Sequence, residues 1–364
     1  VTESEGLTVI DDQTLEMKLV NPFAPWAFNM VSAHGGMVKM EQVLSGDNEW
    51  TFHPIGVGPY KLTTNPDTNT YVVETGDDVA YWGSAPIIPK FVGLNVTDRQ
   101  VQQIMFENGE TDLWQTQAPE YEAAIAPDHH LNKMIFITPA ASLWYIKVKF
   151  DVTPLDDLLV RKALAHGTDM SAVVPAVWGK SGATIFANGI LGPVMDCHQP
   201  GGAGHPYDPE LARQELASSS YGGPDNLPTL FIDLSRPFMV NMGVATKEYW
   251  KDNLGIELDL LKRERGMPRR PQAQFYRIST GSGTPDPTVL LSFLARTDSI
   301  ESLSNIPGGF PVMDALVLTA RKLAVDDPGR CPAWNAVEDE YMEKVYMIPI
   351  RWDPIRTWKV QPWL

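Results

Sequence analysis

Glycine-rich stretches are the first places to look for cofactor chemistry, because glycine lets the backbone close around a phosphate group. The stretch Gly56-Val57-Gly58-Pro59-Tyr60 lacks the third glycine of a dinucleotide-binding loop, and strand-like residues follow it. The stretch Gly179-Lys180-Ser181 ends like a P-loop, but Val174 stands where the leading glycine belongs. We therefore predict a turn at residues 56–60 and no bound cofactor.

Histidines and carboxylates are present, but their spacing does not support metal or acid–base chemistry. The histidines at positions 129, 130, 166, 198 and 205 match neither HExxH nor a Cys/His finger, and no GxSxG elbow occurs. The acidic groups Asp156-Asp157 and Glu338-Asp339-Glu340 fall on predicted helices. The first group suits a helix N-terminus and the second a solvated face. The sequence thus predicts neither a metal site nor an enzyme.

Acidic residues outnumber basic ones, 45 Asp and Glu against 29 Lys and Arg, which gives a formal net charge of −16. Nucleic acids and anionic membrane surfaces attract basic partners, so we expect neither as a ligand. No window is apolar enough to span a membrane, and no signal peptide is visible. With 364 residues, the chain has enough material for two domains.

The chain has two cysteines, Cys197 and Cys331, and neither lies in a CxxC motif or a Cys/His cluster. One disulfide in an oxidising compartment is compatible with this pattern, and so are two buried free thiols. The sequence leaves both alternatives open.

Hydrophobic periodicity divides the chain into a first part rich in hairpins and a second part in which strands and helices alternate. We predict hairpins over 7–20 and 60–74, strands over 89–96, 143–150, 228–234, 256–261 and 346–352, and helices over 97–106, 119–126, 154–164, 208–219, 240–254, 313–324 and 332–345. Thr97 is the expected N-cap of the first helix, and Arg161 is expected to pair with Asp157 at i, i+4. The alternation predicts an α/β fold.

Several motifs occur in an order that resembles one protein family along nearly the whole chain. They are VIDDQTLEMKLVNPFAPW at 9–26, HPIGVGPYKL at 53–62, FENGETDLW at 106–114, PLDDLLVRKALAHGTDM at 154–170, YDPELARQELASSSY at 207–221, WKDNLGIEL at 250–258, GTPDPTVLLSF at 283–293 and YMIPI at 346–350. They are similar to segments of the extracytoplasmic solute-binding proteins of dipeptide, oligopeptide and nickel ABC transporters, the bacterial extracellular family 5. The stretch at 154–170 is the most specific match.

This resemblance implies an α/β, periplasmic-binding-protein-like fold of type II, in the large cluster with an extra subdomain, whose two lobes are joined by a two-strand hinge. Residues 59–140 and 346–364 would form lobe one, residues 141–345 lobe two, and residues 1–58 the remnant of the extra subdomain. The family's GPY signature lies far from the start of its chains, whereas here it lies at 58–60. We therefore expect that an N-terminal segment is missing from this sequence.

The resemblance also indicates which residues contact the solute. The expected contacts are aromatic and amide residues near the expected hinge and along a glycine-rich loop of lobe two: Trp114, Gln115, Trp144, Trp178, Phe186 and Asn188. Flat rings that face a cleft suit sugar faces and apolar side chains equally well. A place in the ordinary core explains any one tryptophan equally well, and the sequence does not decide between the two.

The stretch GTPDP at 283–287 bears on the chemistry of the solute. Peptide-binding members of the family pair the α-amine of the peptide with an aspartate at the position of Gly283. A buried ammonium without a counter-charge is unfavourable, so we do not expect this chain to hold a peptide N-terminus in that way. Asp286 remains as a candidate to accept hydrogen bonds from the solute or to cap a turn. Oligosaccharide and oligopeptide stand as equal candidates.

From these observations we expect a non-enzymatic receptor that binds an oligosaccharide or oligopeptide between two lobes. It would close on the solute by hinge motion and deliver it to the permease of an ABC transporter. The alternatives are an extracytoplasmic hydrolase and a solute sensor on the same fold. The expected protein is a monomer in the periplasm or at the cell surface, secreted or anchored by lipid through the missing N-terminus.

Overall fold

The computed structural model describes residues 6–20, 23–31, 36–46, 50, 52–65, 70–75, 81–115, 132–139, 141–178, 185–235, 237–264, 266–299, 309–352, 355–361 and 363. The strands are β1 (Leu7–Asp11), β2 (Thr14–Met17), β3 (Lys61–Asn65), β4 (Thr70–Glu74), β5 (Lys90–Leu94), β6 (Leu113–Gln115), β7 (Ile135–Pro139), β8 (Ser142–Val148), β9 (Ile185–Phe186), β10 (Leu230–Leu234), β11 (Leu258–Lys262), β12 (Phe275–Gly281), β13 (Met347–Trp352) and β14 (Ile355–Val360). The helices are α1 (Trp26–Val31), α2 (Met40–Leu44), α3 (Arg99–Glu107), α4 (Leu158–His166), α5 (Met170–Trp178), α6 (Pro209–Ser218), α7 (Pro237–Leu254), α8 (Pro287–Ala295), α9 (Pro311–Arg321) and α10 (Arg330–Glu343). The helix predicted over 119–126 lies outside the described residues.

The chain divides into two compact units. The large unit consists of Val1–Pro25 and Gln115–Lys359, and the small unit consists of Trp26–Trp114 and Val360–Leu364. No helix of the described ranges combines the length and the apolar character that a membrane span requires.

A mixed six-stranded sheet is the framework of the large unit, in the order β11-β10-β12-β8-β13-β9. Strand β10 pairs in parallel with β11 and β12, whereas β8 pairs antiparallel with β12 and β13. Sequence analysis predicts most of these strands, because β8 and β13 are nearly continuous apolar runs that suit a sheet covered on both faces. The predicted α/β fold is confirmed.

Two hydrophobic cores lie on opposite faces of this sheet. Side chains of a strand alternate between faces, so β8 sends Ile146 and Val148 into one core and Leu143 and Tyr145 into the other. The first core collects residues of α4 to α7, and the second collects residues of α8, α9 and α10. Trp250 in the first core and Trp334 in the second are completely buried.

Strand β13 belongs to the large unit. Residues 346–359 lie in that unit together with 141–345, whereas the resemblance places 346–364 in lobe one. The reason is that β13 pairs with β8 from Met347 opposite Lys147 to Trp352 opposite Leu143. The exact lobe boundaries and the two-strand hinge stay predictions.

Aspartates cap several of the helices. The side chains of Asp157 and Asp208 accept hydrogen bonds from N–H groups in the first turns of α4 and α6, as the sequence predicts. Helix α3 differs from the prediction, because Asp98 rather than Thr97 accepts the hydrogen bond from Val101 N–H, at 3.0 Å. The predicted positions of these helix starts are otherwise close to those observed.

Arg161 does not pair with Asp157, so that expectation is wrong. Arg161 is 6% exposed and donates to the main-chain carbonyls of Lys344 (3.0 Å) and Leu155 (2.6 Å). The Asp157 carboxylate instead accepts hydrogen bonds from the Ser220 N–H and hydroxyl, both at 2.7 Å. The half-buried Asp157 carboxylate is thus used by other donors, and main-chain carbonyls satisfy the buried guanidinium.

Cys197 and Cys331 form a disulfide, with their Cα atoms 4.8 Å apart. Of the two alternatives that the sequence left open, the structure therefore shows the bridge. It ties the loop after β9 to the first turn of α10 across a sequence separation of 134 residues.

The small unit is built on the antiparallel sheet β3-β4-β5 and on helix α3. The predicted turn is confirmed, because residues 57–60 bend before β3 begins at Lys61. The apolar run over 89–96 predicts a buried strand, and this prediction is wrong: in β5, Phe91 is 40% exposed and Val92 is 57% exposed. β5 lies at the edge of its sheet, which explains the exposure.

Candidate functional site

Four residues line up across the central strands of the large unit. The register places Trp144 of β8 between Ser279 of β12 and Arg351 of β13, and places Phe186 of β9 opposite Arg351. Residues directly opposite each other in a sheet project from the same face, so these side chains lie side by side. The sheet register, rather than proximity in sequence, brings them together.

The guanidinium of Arg351 contacts two tryptophan rings. Its central carbon is 5.2 Å from the ring centre of Trp144 and 4.9 Å from that of Trp178, the last residue of α5. A guanidinium over an indole face gains about 0.5–2 kcal/mol, more when water is displaced. We call Trp144, Trp178, Phe186 and Arg351 the aromatic–arginine row.

A cavity of about 240 Å³ adjoins this row through Phe186, which belongs to both. Its apolar wall consists of Met170, Phe186, Met347, Ile348 and Pro349, and its polar wall includes Asp169, Asn188 and His205. Pockets that enclose whole small ligands usually measure about 300–1,000 Å³. The cavity therefore suits one side chain of a larger solute better than a complete solute.

Two glycines let the polar wall of the cavity form. Gly202 has a φ of +67°, and a Cβ atom there would lie 2.3 Å from Asn188 atoms. A Cβ atom on Gly204 would lie 2.6 Å from the Asn188 carbonyl oxygen, which accepts a hydrogen bond from Gly204 N–H. Glycine at positions 202 and 204 is thus required for close approach to Asn188.

Asp286 lies apart from the row and the cavity, inside the fold. It is 4% exposed, caps α8 by accepting from Thr288 N–H at 2.8 Å, and forms an ion pair with Arg330. Of the two roles foreseen for Asp286, capping is the one that its geometry matches. Gly283 has open space beside its Cα: a Cβ atom added there would have no atom of another described residue within 4 Å, apart from its chain neighbours.

Trp114 and Gln115 are the last two residues of β6. Trp114 belongs to the small unit, where it is 6% exposed and its Nε1–H donates to Gln102 Oε1 at 3.1 Å. Its ring lies 6.1 Å from that of Phe106. Trp114 thus packs as part of the small unit's core, while Gln115 is the last residue of its strand. Their predicted contact with solute stays a prediction.

Sequence reasoning missed Arg351 and His205. Arg351 stands in the apolar strand β13, and its isolated charge there was the available signal, because a lone arginine in such a strand needs a partner. His205 follows the glycine-rich loop, but no motif marks it. Trp178 is 5% exposed and packs in the first core, so the row offers the half-buried rings of Trp144 and Phe186 and the half-buried guanidinium of Arg351. The cavity offers an apolar wall with an amide, so together they can bind a solute with apolar and anionic or carbonyl groups.

The sequence matches the model of one family, described as bacterial extracellular solute-binding proteins, family 5 Middle, over residues 1–301. The chain therefore belongs to this family, as the resemblance indicated. Its α/β fold is that of type II periplasmic binding proteins, which the solved structures below share.

Two curated relatives show how much of such a protein the chain covers. The dipeptide-binding protein of Escherichia coli (strain K12) is 23% identical over 291 residues, which are 76% of this chain and 53% of the relative. The glutathione-binding protein GsiB of Salmonella choleraesuis (strain SC-B67) is 28% identical over 227 residues, which are 61% of this chain and 42% of the relative. The chain thus spans about half the length of the curated relatives that it matches.

Solved structures match over almost the whole chain. The Escherichia coli murein tripeptide binding protein MppA has a TM-score of 0.79 at 20% identity, over 98% of this chain and 70% of that one. A dipeptide binding protein from Pseudoalteromonas sp. SM9913, in complex with Met-Leu, has a TM-score of 0.76 at 18% identity, over 98% and 71%. At these identities the likeness concerns the fold.

Proposed function

We propose that the protein is the solute-binding component of an ABC transporter, and that it captures a peptide outside the cytoplasmic membrane for delivery to a permease. Membership of the solute-binding family supports the class of protein. The observation that carries the proposal is the aromatic–arginine row beside a cavity of about 240 Å³. The row would hold the peptide backbone or a carboxylate, and the cavity would hold one side chain.

Peptide is a better proposal than oligosaccharide, although the sequence analysis ranked them equally. The relatives named above are described as binding dipeptide, glutathione and murein tripeptide. A carboxylate or amide carbonyl also matches the Arg351 guanidinium, whereas a neutral sugar gains little from a cation. Arg351 at the row and the absence of an acidic side chain at Gly283 together favour recognition by the carboxylate end rather than the amine end of a peptide.

Calorimetric titration tests this proposal. We expect saturable binding of di- and tripeptides or glutathione, weaker binding after amidation of the peptide carboxylate, and no heat with di- and trisaccharides. Recovery of the unchanged peptide after long incubation would separate a receptor from a hydrolase. Binding of saccharides but not peptides would overturn the choice of solute, and hydrolysis would overturn the receptor. Hinge closure, the monomeric state and the periplasmic or surface location stay predictions of the sequence.

A further inference from the structure

His166 and His205 meet edge to face beside the cavity. His166 is the last residue of α4, and His205 lies in the segment Gly204–Tyr207, which forms part of the cavity wall. His166 Nε2 and His205 Nδ1 are 3.2 Å apart, and the two ring planes cross at 83°. His166 is 7% exposed. This contact lies outside the aromatic–arginine row, and the proposed function does not use it.

The second nitrogen of each ring contacts a main-chain carbonyl. His166 Nδ1 lies 2.8 Å from the Pro206 oxygen, and His205 Nε2 lies 2.8 Å from the Met342 oxygen. A carbonyl oxygen can only accept, so each of these two nitrogens carries a hydrogen. A neutral imidazole has only one N–H. If both rings are neutral, each of them therefore donates its N–H to its main-chain carbonyl and has no further hydrogen to donate.

The remaining nitrogens, His166 Nε2 and His205 Nδ1, would then both be acceptors that face each other. Two such lone pairs at 3.2 Å repel, whereas one additional hydrogen between them makes a hydrogen bond of near-normal length. The contact geometry therefore fits a pair of rings that carries three hydrogens and one positive charge.

The surroundings supply a matching negative charge. Glu215 of α6 has Oε1 3.8 Å from His166 Nε2, its side chain is 13% exposed, and its buried Oε2 has no hydrogen-bond partner among the described residues. A buried carboxylate in this position needs a nearby cation. Burial raises the pKa of Glu215, and the positive charges of His166 and Lys162 oppose that rise.

Other charged groups face the pair from each neighbouring element. Lys162 of α4 and Glu343 of α10 form an ion pair with each other, and Asp208 begins α6. Burial is the main cause that lowers the pKa of His205, and the charges of His166 and Lys162 lower it further. The hydrogen bond to the Met342 carbonyl and the charge of Glu343 raise the pKa, but they do not outweigh burial.

We propose that His166 and His205 share one proton at neutral pH, and that this proton adds a second hydrogen bond between helix α4 and the cavity wall Gly204–Tyr207. The first is donated by His166 Nδ1–H to the Pro206 carbonyl and does not depend on the shared proton. Loss of the shared proton leaves two facing acceptors and the Glu215 carboxylate without its cation. The cavity wall is therefore held more firmly at neutral pH than at higher pH.

The number of protons released on unfolding tests the shared proton directly. An unfolded histidine titrates near pH 6.5, so above this pH a folded pair that keeps the shared proton holds up to one proton more than the unfolded chain. The unfolding equilibrium constant should then rise by up to tenfold per pH unit because of this pair. Denaturant titrations at several pH values measure this slope in the wild-type protein.

The matched variants isolate the pair from the other titrating groups. The double variant His166→Gln/Glu215→Gln removes the proton-binding ring together with the carboxylate that it balances, so no buried charge is left alone. We expect the unfolding equilibrium constant of this variant to lose the part of its pH dependence that comes from the shared proton. His198→Gln is the control, because His198 Nδ1 also contacts a carbonyl, that of Leu191 at 2.6 Å, but faces no second histidine among the described residues. Equal slopes in the wild type and the double variant would overturn the proposal.

Nitrogen chemical shifts of the histidine rings in the wild type give a second test that needs no variant. We expect Nδ1–H on His166, Nε2–H on His205 and one further proton that both rings share. Two neutral rings at pH 7 would overturn the proposal. The proposal would also be overturned if the pH dependence of the unfolding equilibrium constant disappeared after dialysis against a chelator and returned with Zn²⁺, since a metal ion would then occupy the place of the proton.

Discussion

Arg330 Nη2 lies 3.0 Å from Asp286 Oδ1 and 2.7 Å from Asp286 Oδ2, with both side chains almost completely buried. The same nitrogen is 2.9 Å from the Thr288 hydroxyl, and Arg330 Nη1 donates to the Leu323 carbonyl. The pair joins the start of α8 to the start of α10 inside the second core. This contact and the cap on α8 give the Asp286 carboxylate a role in the fold, and its predicted contact with the solute stays a prediction.

Asp286→Ala should destabilise the protein by about 3–5 kcal/mol, because it leaves the Arg330 guanidinium buried without its counter-charge. Chemical denaturation measures the free energy of unfolding. The double variant Asp286→Ala/Arg330→Met is the control and should recover much of the loss, since no buried charge remains unpaired. If Asp286→Ala kept its stability and lost solute affinity, Asp286 would be a solute contact after all.

Reduction of the Cys197–Cys331 bridge should also destabilise the large unit. The bridge closes a loop with a sequence separation of 134 residues, and removal of such a disulfide commonly costs about 2–5 kcal/mol. The variant Cys197→Ser/Cys331→Ser should show the same loss. Alkylation of the denatured protein checks the bridge itself: the mass should not change without reductant and should gain two labels after reduction, because the chain has no other cysteine. Labelling without reductant would contradict the bridge.

Glu338 should make the stability depend on pH above about pH 4.5. The prediction of a solvated face is wrong for this residue: Glu338 is 1% exposed, and its carboxylate accepts hydrogen bonds from Ile190 N–H at 2.5 Å and Leu191 N–H at 2.9 Å. Burial raises its pKa above the usual 4.5, and the two amide hydrogen bonds only partly offset this. The folded state thus binds the proton more tightly, so the stability that this proton contributes is complete below pH 4.5 and is lost as the pH rises through the folded pKa.

The variant Glu338→Gln checks this sign. Its amide oxygen still accepts from the same N–H groups, but it has no charge to bury, so its stability should fall less between pH 4.5 and 7, with a difference on the order of 1 kcal/mol. Thermal or denaturant unfolding across this range measures the difference. The exposed Glu257→Gln serves as the control and should follow the wild type. A parallel pH profile for Glu338→Gln would contradict the proposed burial effect.

Local sequence signals predicted most of the individual elements. An Asp before a Pro at 208–209 marks the start of α6, and an acidic pair before 158 marks the start of α4. Apolar runs mark strands β8 and β13. Each of these signals lies within a window of a few neighbouring residues. Helix α5 has no such signal, because Pro175 and several valines lie inside it. The prediction for Arg161 failed for the opposite reason: a local i, i+4 rule favoured Asp157, but the guanidinium reaches the carbonyl of Lys344.

The site depended on contacts that no local window contains. Trp144 and Phe186 were predicted to contact solute because of their flat rings, and their common partner Arg351 was not predicted, since the pairing of β8 with β13 joins residues that are about two hundred positions apart. The tautomers at His166 and His205 likewise depend on the carbonyls of Pro206 and Met342. Long-range register therefore had to come from the structure.

Trp144→Ala should weaken peptide binding by about tenfold or more, because truncation of a tryptophan at the centre of a binding surface usually costs at least 1–2 kcal/mol.

Arg351→Lys should also weaken peptide binding, since an ammonium keeps the charge but neither stacks on the Trp144 and Trp178 rings nor makes two parallel hydrogen bonds to a carboxylate. Calorimetric titration with one peptide and its C-terminal amide separates the two effects. Arg351→Lys should narrow the difference in affinity between the peptide and its amide, whereas Trp144→Ala should leave that difference unchanged. Trp82→Ala is the control, because Trp82 is 87% exposed and lies in the small unit. The peptide affinity of this variant should match that of the wild type. If Trp144→Ala folds normally and binds peptide like the wild type, the row is not the solute site, although the family assignment would stand.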